Sequence, residues 1–212
     1  MNEQDKINEQ NKINKILNKY DCGTTILKIN SLGINGEINF KKFTHVSKIY
    51  CYNNNITKLV ELSNTLKHLN CSSNSNIILL DLPDSIEYLE CENCCQTSLN
   101  MLPSNIKYLN CARNQIENLT NIPFSLEKLY CAYNKINNLD WLPDGLTDLD
   151  CEDNKISNLD NLPSTLTNLN CLANDIKILA NLPRNLLSIN FYGELPNKPN
   201  GLKFINGKYI DN

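Results

Sequence analysis

LPSNIKYLNCARNQIENL, residues 102–119, is the stretch that decides the fold. Its centre, YLNCAR, alternates apolar and polar side chains, the period of a β-strand. Leu109 and Cys111 fall on one face, and Tyr108, Asn110 and Ala112 on the other. The Leu-Pro at its start denies a helix. Proline lacks an amide hydrogen and biases its predecessor to extended backbone. In both directions from this stretch the pattern returns at a fixed step of twenty residues. Cys51, Cys71, Cys91, Cys111, Cys131, Cys151 and Cys171 form one column. Leu69, Leu89, Leu109, Leu129, Leu149, Leu169 and Ile189 form a second, and Leu59, Leu79, Leu99, Leu119, Leu139, Leu159 and Leu179 a third. Asn54, Asn74, Asn114, Asn134, Asn154 and Asn174 form a fourth, and proline recurs at 83, 103, 123, 143, 163 and 183.

A fixed period near twenty residues means a solenoid, in which each rung buries its apolar side only by stacking on its neighbours. Strands of successive rungs then lie about 4.8 Å apart. The asparagine column has a structural task in such a coil. The tight turn after each strand leaves backbone groups unpaired inside, and an inward amide can both donate to and accept from them.

The unit resembles a leucine-rich repeat, L-x-x-L-x-L-x-x-N-x-L, with cysteine in the third apolar slot. The twenty-residue length and the Leu-Pro are similar to the short repeats of bacterial secreted effectors. The resemblance covers roughly residues 42–192, or about seven to eight rungs. It implies an α/β-type solenoid, mostly β: a right-handed coil with a parallel concave sheet and an extended convex side. It also implies a protein-binding module rather than an enzyme. Related effectors sometimes carry a separate ubiquitin-ligase domain, for which no room is expected here. The sequence departs from the pattern in one place. Cys94 replaces the asparagine, and Asn76 and Gln96 replace the isoleucine seen at Ile56, Ile116, Ile136, Ile156 and Ile176. The third rung is therefore expected to be irregular.

Both ends of an open stack need covers. We divide the chain into an N-terminal cap (1–41), the repeats (42–192) and a C-terminal cap (193–212). Ile7, Ile13, Ile16, Leu17 and Tyr20 have roughly helical spacing, with Gly23 as a stop, which predicts a capping helix; a frayed polar tail is the competing reading. Residues 24–41 read as strand material or a degenerate first rung. At the far end, Asn206-Gly207 between two alternating runs predicts a β-hairpin cap, because both turn residues must tolerate positive φ.

Composition sets the outer limits. The chain has 212 residues, 41% hydrophobic and 20% charged, which excludes wholesale disorder. The net charge of -3 argues against nucleic acid and anionic membranes as partners. No apolar run approaches the roughly 20 residues that span a bilayer, and the first residues lack a secretory apolar core. These readings place a monomer in the cytoplasm, or in the host cytoplasm if the source is viral. Abundant asparagine, isoleucine and lysine suggest an AT-rich genome, such as that of a protist or giant virus.

Ten cysteines raise the question of disulfides or metal. In a ladder each cysteine reads as a small buried hydrophobe in a leucine slot. Zinc needs four ligands converging on one point, and a linear ladder does not converge. The run CENCC brings Cys91, Cys94 and Cys95 together and carries the alternative of a thiol or metal-binding protein. A passive structural component of a larger particle is a third reading. His45 and His68 have no nucleophile motif beside them, so no catalytic residues and no cofactor are expected.

The expected binding surface is the concave sheet face. His68, Tyr88 and Tyr108 make an aromatic column there, with Tyr130 and Tyr133 beside its end. Glu90, Glu92, Arg113 and Lys128 lie among them, and Asp148, Asp150, Glu152 and Asp153 put four carboxylates on one rung. Like charges so close repel and add nothing to a fold. They suit a protein partner with a basic patch or, less well, a divalent cation. The plainer reading is a solvated acidic face relieved by Lys128, Lys135 and Lys155.

Overall fold

The computed structural model describes residues 2–177, 179 and 181–191, and the backbone of 203–205 and 208–210. The chain opens with α1 (Glu3–Leu17), β1 (Ile26–Lys28), β2 (Asn35–Asn39), β3 (Lys48–Tyr50) and β4 (Asn55–Val60). Then each rung contributes one short strand: β5 (His68–Asn70), β6 (Tyr88–Glu90), β7 (Tyr108–Asn110), β8 (Lys128–Tyr130), β9 (Asp148–Asp150), β10 (Asn168–Asn170) and β11 (Ser188–Asn190). β12 (Lys203–Ile205) and β13 (Lys208–Ile210) follow. The chain is a mostly-β solenoid with a single N-terminal helix among the described residues.

One sheet of 11 strands runs the length of the coil in the order β1-β3-β5-β6-β7-β8-β9-β10-β11-β13-β12. From β3 to β11 the strands pair parallel with each residue facing its counterpart twenty positions on, as Leu89 faces Leu109 and Leu109 faces Leu129. β1 joins the sheet on β3, which settles residues 26–28 as strand. The central leucine of each strand and the cysteine after it point inward and are buried, while the flanking residues face out. Each such leucine taken out of water contributes about 1.5–3 kcal/mol.

Behind the sheet the rungs are extended. β2 and β4 form a second parallel pair, and a bridge from Lys58 to Ile78 carries it one rung further. Later rungs keep single backbone bonds there, such as Lys135 N–H to Ile116 O at 2.8 Å.

The asparagine column ties the turns together. Asn114 Nδ2 donates to the carbonyls of Cys91, Cys111 and Ala112 at 2.9–3.1 Å. Its Oδ1 accepts the amides of Cys94 at 3.0 Å and Gln96 at 2.9 Å. One side chain thus stitches two rungs, and Asn54 does the same at the start of the coil. After each strand comes a left-handed residue: Asn53, Ser73, Asn93, Arg113, Tyr133, Asp153 or Ala173, with φ between 51° and 57°. Non-glycine side chains pay roughly 1–2 kcal/mol for that backbone. Each of these residues from Asn53 to Asp153 sends its amide to the next rung, as Arg113 does to Ala132 O at 2.8 Å.

The third rung is irregular. Cys95 takes φ 54°, a left-handed residue at a phase where no other described rung has one. Ile77, one place later than its counterparts, fills the isoleucine slot while Asn76 turns outward. Gln96 bridges the gap, donating from Nε2 to Ile77 O and Cys94 O at 2.9 Å.

Both ends are covered. At the N-terminus α1 is helical rather than frayed. Asn2 and Asp5 form a reciprocal capping box, each side chain accepting the other's amide. The helix stops at Leu17, well before Gly23, with Asn18 as its C-cap. Ile13 and Leu17 are buried, whereas Ile7 is 49% exposed and plays no part in the core. Lys12 Nζ donates to Gly33 O, and Glu9 accepts the Asn35 amide at 2.8 Å. These contacts fasten the helix to the first rungs. At the other end β13 pairs antiparallel with β11, and β12 pairs antiparallel with β13. The hairpin occupies the edge that the last parallel strand would leave open. Its turn, Asn206-Gly207, lies outside the described residues.

Candidate functional site

The outward face of the main sheet gathers the predicted residues from consecutive strands. Tyr88 and Glu90 come from β6, Tyr108 from β7, Lys128 and Tyr130 from β8, and Asp148 and Asp150 from β9. Glu92, Arg113, Tyr133, Glu152 and Asp153 sit in the turns just after those strands.

The aromatic side chains form one continuous row. Ring centroids are 5.1 Å apart from Tyr50 to His68, 5.9 Å to Tyr88, 5.7 Å to Tyr108 and 5.3 Å to Tyr130. The inner pairs are stacked and the end pairs tilted. Tyr50 was not expected in the column. It sits at the other outward position of its strand, two residues on, and reaches the row diagonally; Tyr130 does the same at the far end. Tyr133 stands apart from the row, under Arg113, whose guanidinium lies 4.4 Å from its ring centroid. Burial, then the nearby Glu90, pushes the Tyr108 hydroxyl pKa up.

Charges flank the row. His68 Nε2 lies 3.3 Å from Glu90 Oε1 without hydrogen-bond geometry. Arg113 Nε lies 3.3 Å from Glu92 Oε1. A hollow of about 310 Å³ opens between Tyr88, Lys107, Tyr108, Glu127, Lys128 and Tyr130. A second, of about 240 Å³, adjoins it at Tyr130 and is walled by Asp148, Asp150, Asn168, Asn170, Ser188 and Asn190.

The acidic rung is relieved differently from the expectation. Lys128 Nζ lies 3.4 Å from Asp148 Oδ2, but among the described residues neither Lys135 nor Lys155 forms an ion pair. The next rung's asparagines serve instead. Asn168 donates to Asp148 at 3.0 Å, and Asn170 to both Asp150 and Glu152 at 3.0 Å. Tyr133 Oη adds a bond to Glu152 at 3.4 Å. Burial nevertheless raises the Asp150 pKa, opposed by the Glu152 amide and Asn170. Asp153 is exposed. Sequence reasoning overlooked Asn168 and Asn170, although both stand twenty residues beyond the acids they serve.

The cysteine ladder is an interior feature. Cys51, Cys71, Cys91, Cys111, Cys131, Cys151 and Cys171 are all buried and unbridged. Cys71, Cys151 and Cys171 donate their thiols to strand carbonyls of the next rung at 3.3–3.4 Å. Burial pushes Cys91, Cys111, Cys131 and Cys151 well above the ordinary thiol range, and Cys171 to about 12. Such thiols stay protonated and are poor nucleophiles. Within CENCC, Cys91 and Cys94 are buried while Cys95 is exposed. Among the described residues no group of three His, Cys, Asp or Glu side chains is placed to hold a metal ion. No helix of the described residues is long and apolar enough to cross a membrane.

No family model and no curated protein matches the sequence. Solved structures do match the fold. Internalin C2 of Listeria monocytogenes aligns over 85% of this chain and 91% of its own, at 21% identity and a TM-score of 0.72. YopM of Yersinia enterocolitica aligns over 82% of this chain and 53% of its own, at 23% identity and a TM-score of 0.52. The functional domain of InlJ from Listeria monocytogenes, which includes a cysteine ladder, aligns over 79% of this chain and 49% of its own, at 25% identity and a TM-score of 0.50. The chain thus spans about half the length of the YopM and InlJ chains it resembles. With a parallel ladder of one strand per rung, an inward asparagine at every turn but that of Cys94 and these neighbours, the fold is that of the leucine-rich-repeat solenoids.

Proposed function

We propose that the chain is a non-catalytic protein-binding module whose partner docks on the outward face of the main sheet. The observation that carries this reading is the unbroken ring row from Tyr50 to Tyr130, ending against Asp148 and Asp150. Tyrosine offers large contact area at low entropic cost, and a row of such rings on an open face suits a protein partner. Four carboxylates on the adjoining rung favour a partner with a basic patch and disfavour nucleic acid. The unbridged thiols fit a reducing compartment, so we place the module, as a monomer, in the cytoplasm.

Affinity purification from the native cell, with mass spectrometry, supplies the partner; the variant decides the face. Reversing Asp148, Asp150, Glu152 and Asp153 to lysine is expected to abolish partner binding while leaving thermal stability intact or raised. Unchanged binding removes this face from the reading.

A further inference from the structure

The coil carries a second exposed surface, on the turns behind the sheet. Met101 is 75% exposed, Phe124 90% and Trp141 58%; Ile78 and Leu80 are exposed at the end of the preceding repeat. Cross-rung bonds place these side chains along one edge. Asn121 donates to Asn100 at 3.0 Å, and Asn161 to Asp140 at 2.8 Å, so positions just before and at the turn lie side by side on successive rungs. Ser125 donates to Ser104 O at 2.7 Å, which sets the Phe124 position beside Ser104, three residues past Met101. Met101 and Trp141 share one phase of the repeat two rungs apart, with Asn121 between them, and Phe124 stands three residues past Asn121 in the same turn. Nothing in the fold needs them, because the inward positions of these turns are already filled by Leu99, Ile122 and Leu139.

The charge around them has one sign. In segments 77–85, 97–105, 117–125, 137–145 and 157–165 the charged residues are Asp81, Asp84, Glu117, Asp140, Asp144 and Asp160, with no lysine, arginine or histidine. All six carboxylates are exposed. A second copy of the chain would set these acids against each other, and an anionic membrane would be repelled. Large exposed apolar side chains rimmed by one charge suit a partner of the opposite charge.

We propose that this edge docks an amphipathic protein segment that presents large apolar side chains flanked by lysine or arginine. The site is separate from the sheet face and stands whether or not that face binds. Trp141, the one tryptophan of the chain, reports on it directly.

The probe is a tryptophan-free synthetic peptide of leucine and lysine at helical spacing, with a leucine–glutamate peptide as control. Titration of the intact chain with the lysine peptide is expected to give a saturable blue shift of Trp141 emission, with none from the glutamate peptide. Phe124→Ser with Met101→Ser, which leaves every charge in place, is expected to weaken binding about tenfold. Tyr88→Ala with Tyr108→Ala, on the sheet face, is expected to leave it unchanged. The proposal is overturned by an absent shift, by an equal shift from the glutamate peptide, or by loss of binding in the sheet-face variant alone. Concentration-dependent dimerisation that shifts Trp141 emission without any peptide also overturns it, since the occupant would then be a second copy.

Discussion

Asn114 and Cys94 occupy the same slot on adjacent rungs, and they fill it differently. Asn114 donates to three carbonyls and accepts two amides. Cys94 reproduces part of the donor side: its Sγ points to Cys71 O at 3.4 Å and Glu92 O at 3.5 Å, the counterparts of Cys91 O and Ala112 O. The acceptor side is only partly kept: the Asn74 and Ser73 amides still face the sulfur, but the amide two residues past Asn74 does not. In regular rungs the isoleucine amide goes to the next asparagine, as Ile116 N–H does to Asn134 Oδ1 at 3.0 Å. The equivalent residue before Cys94 is Asn76, which is exposed and has no such bond among the described residues. Sulfur is a weak acceptor, so the chain there swings outward and Ile77 takes the buried position. The two rungs together separate what the slot needs. A donor holds the turn on the preceding strand; an acceptor holds the back of the coil in register.

The sharpest way to break this contrast is to remove the whole amide from a regular rung. Asn114→Ala leaves three carbonyls and two amides to find other partners inside the turn. The expected loss is about 3–5 kcal/mol, measured by urea unfolding. A loss below about 1 kcal/mol would mean that water enters the turn and replaces the side chain.

The ladder cysteines give a smaller effect of the same kind. Cys131→Ser puts a hydroxyl into a fully buried slot. The expected cost is about 1–3 kcal/mol. Cys151→Ser is expected to cost less, because its thiol already donates to Asn170 O and a hydroxyl can inherit that acceptor. Equal stability of parent and C131S would show that the slot is not closed.

Smaller again, and opposite in sign, is Cys94→Asn. It restores the acceptor to the irregular rung and is expected to stabilise by about 0.5–1.5 kcal/mol. Hydrogen exchange is expected to slow at residues 74–77. No gain would assign the irregularity to Asn76 and Gln96 rather than to the sulfur.

What the sequence made legible follows from how many residues each slot accepts. Buried columns such as Leu69 to Ile189 or Cys51 to Cys171 tolerate few side chains, so the period is written out in full. The irregular third rung was readable for the same reason, as a breach of the pattern. Tyr50 was missed because rings reach across two strand positions, and a column at fixed phase does not follow a diagonal. Asn168 and Asn170 were missed because the twenty-residue step was applied to apolar neighbours only. The helix ended at Leu17 because Asn18 closes it before Gly23 is reached. The strip of Met101, Phe124 and Trp141 falls on two different phases of the repeat, so no column announces it.

The acidic rung offers the finest test, because it sets stability against the proposed docking. Half-burial raises the Asp150 pKa, so the folded chain holds that proton more tightly than the unfolded chain does. The resulting stabilisation is fully present below the ordinary carboxylate pKa and is lost as pH rises through the higher folded value. At neutral pH the ionised Asp150 is therefore a net cost to the fold. Asp150→Asn keeps an oxygen for the Glu152 amide and for Asn170, which now bond Oδ1 at 3.2 and 3.0 Å, and removes the charge. It is expected to raise stability at pH 7 by less than about 1 kcal/mol, since solvent screens a half-buried group. The gain should shrink toward zero near pH 3, as read from melting curves across that range. Exposed Asp153→Asn serves as the control and is expected to change little. If Asp150→Asn instead destabilises at neutral pH, the carboxylate is held by its asparagine neighbours for the sake of the fold, and the rung loses its claim as a surface kept for a partner.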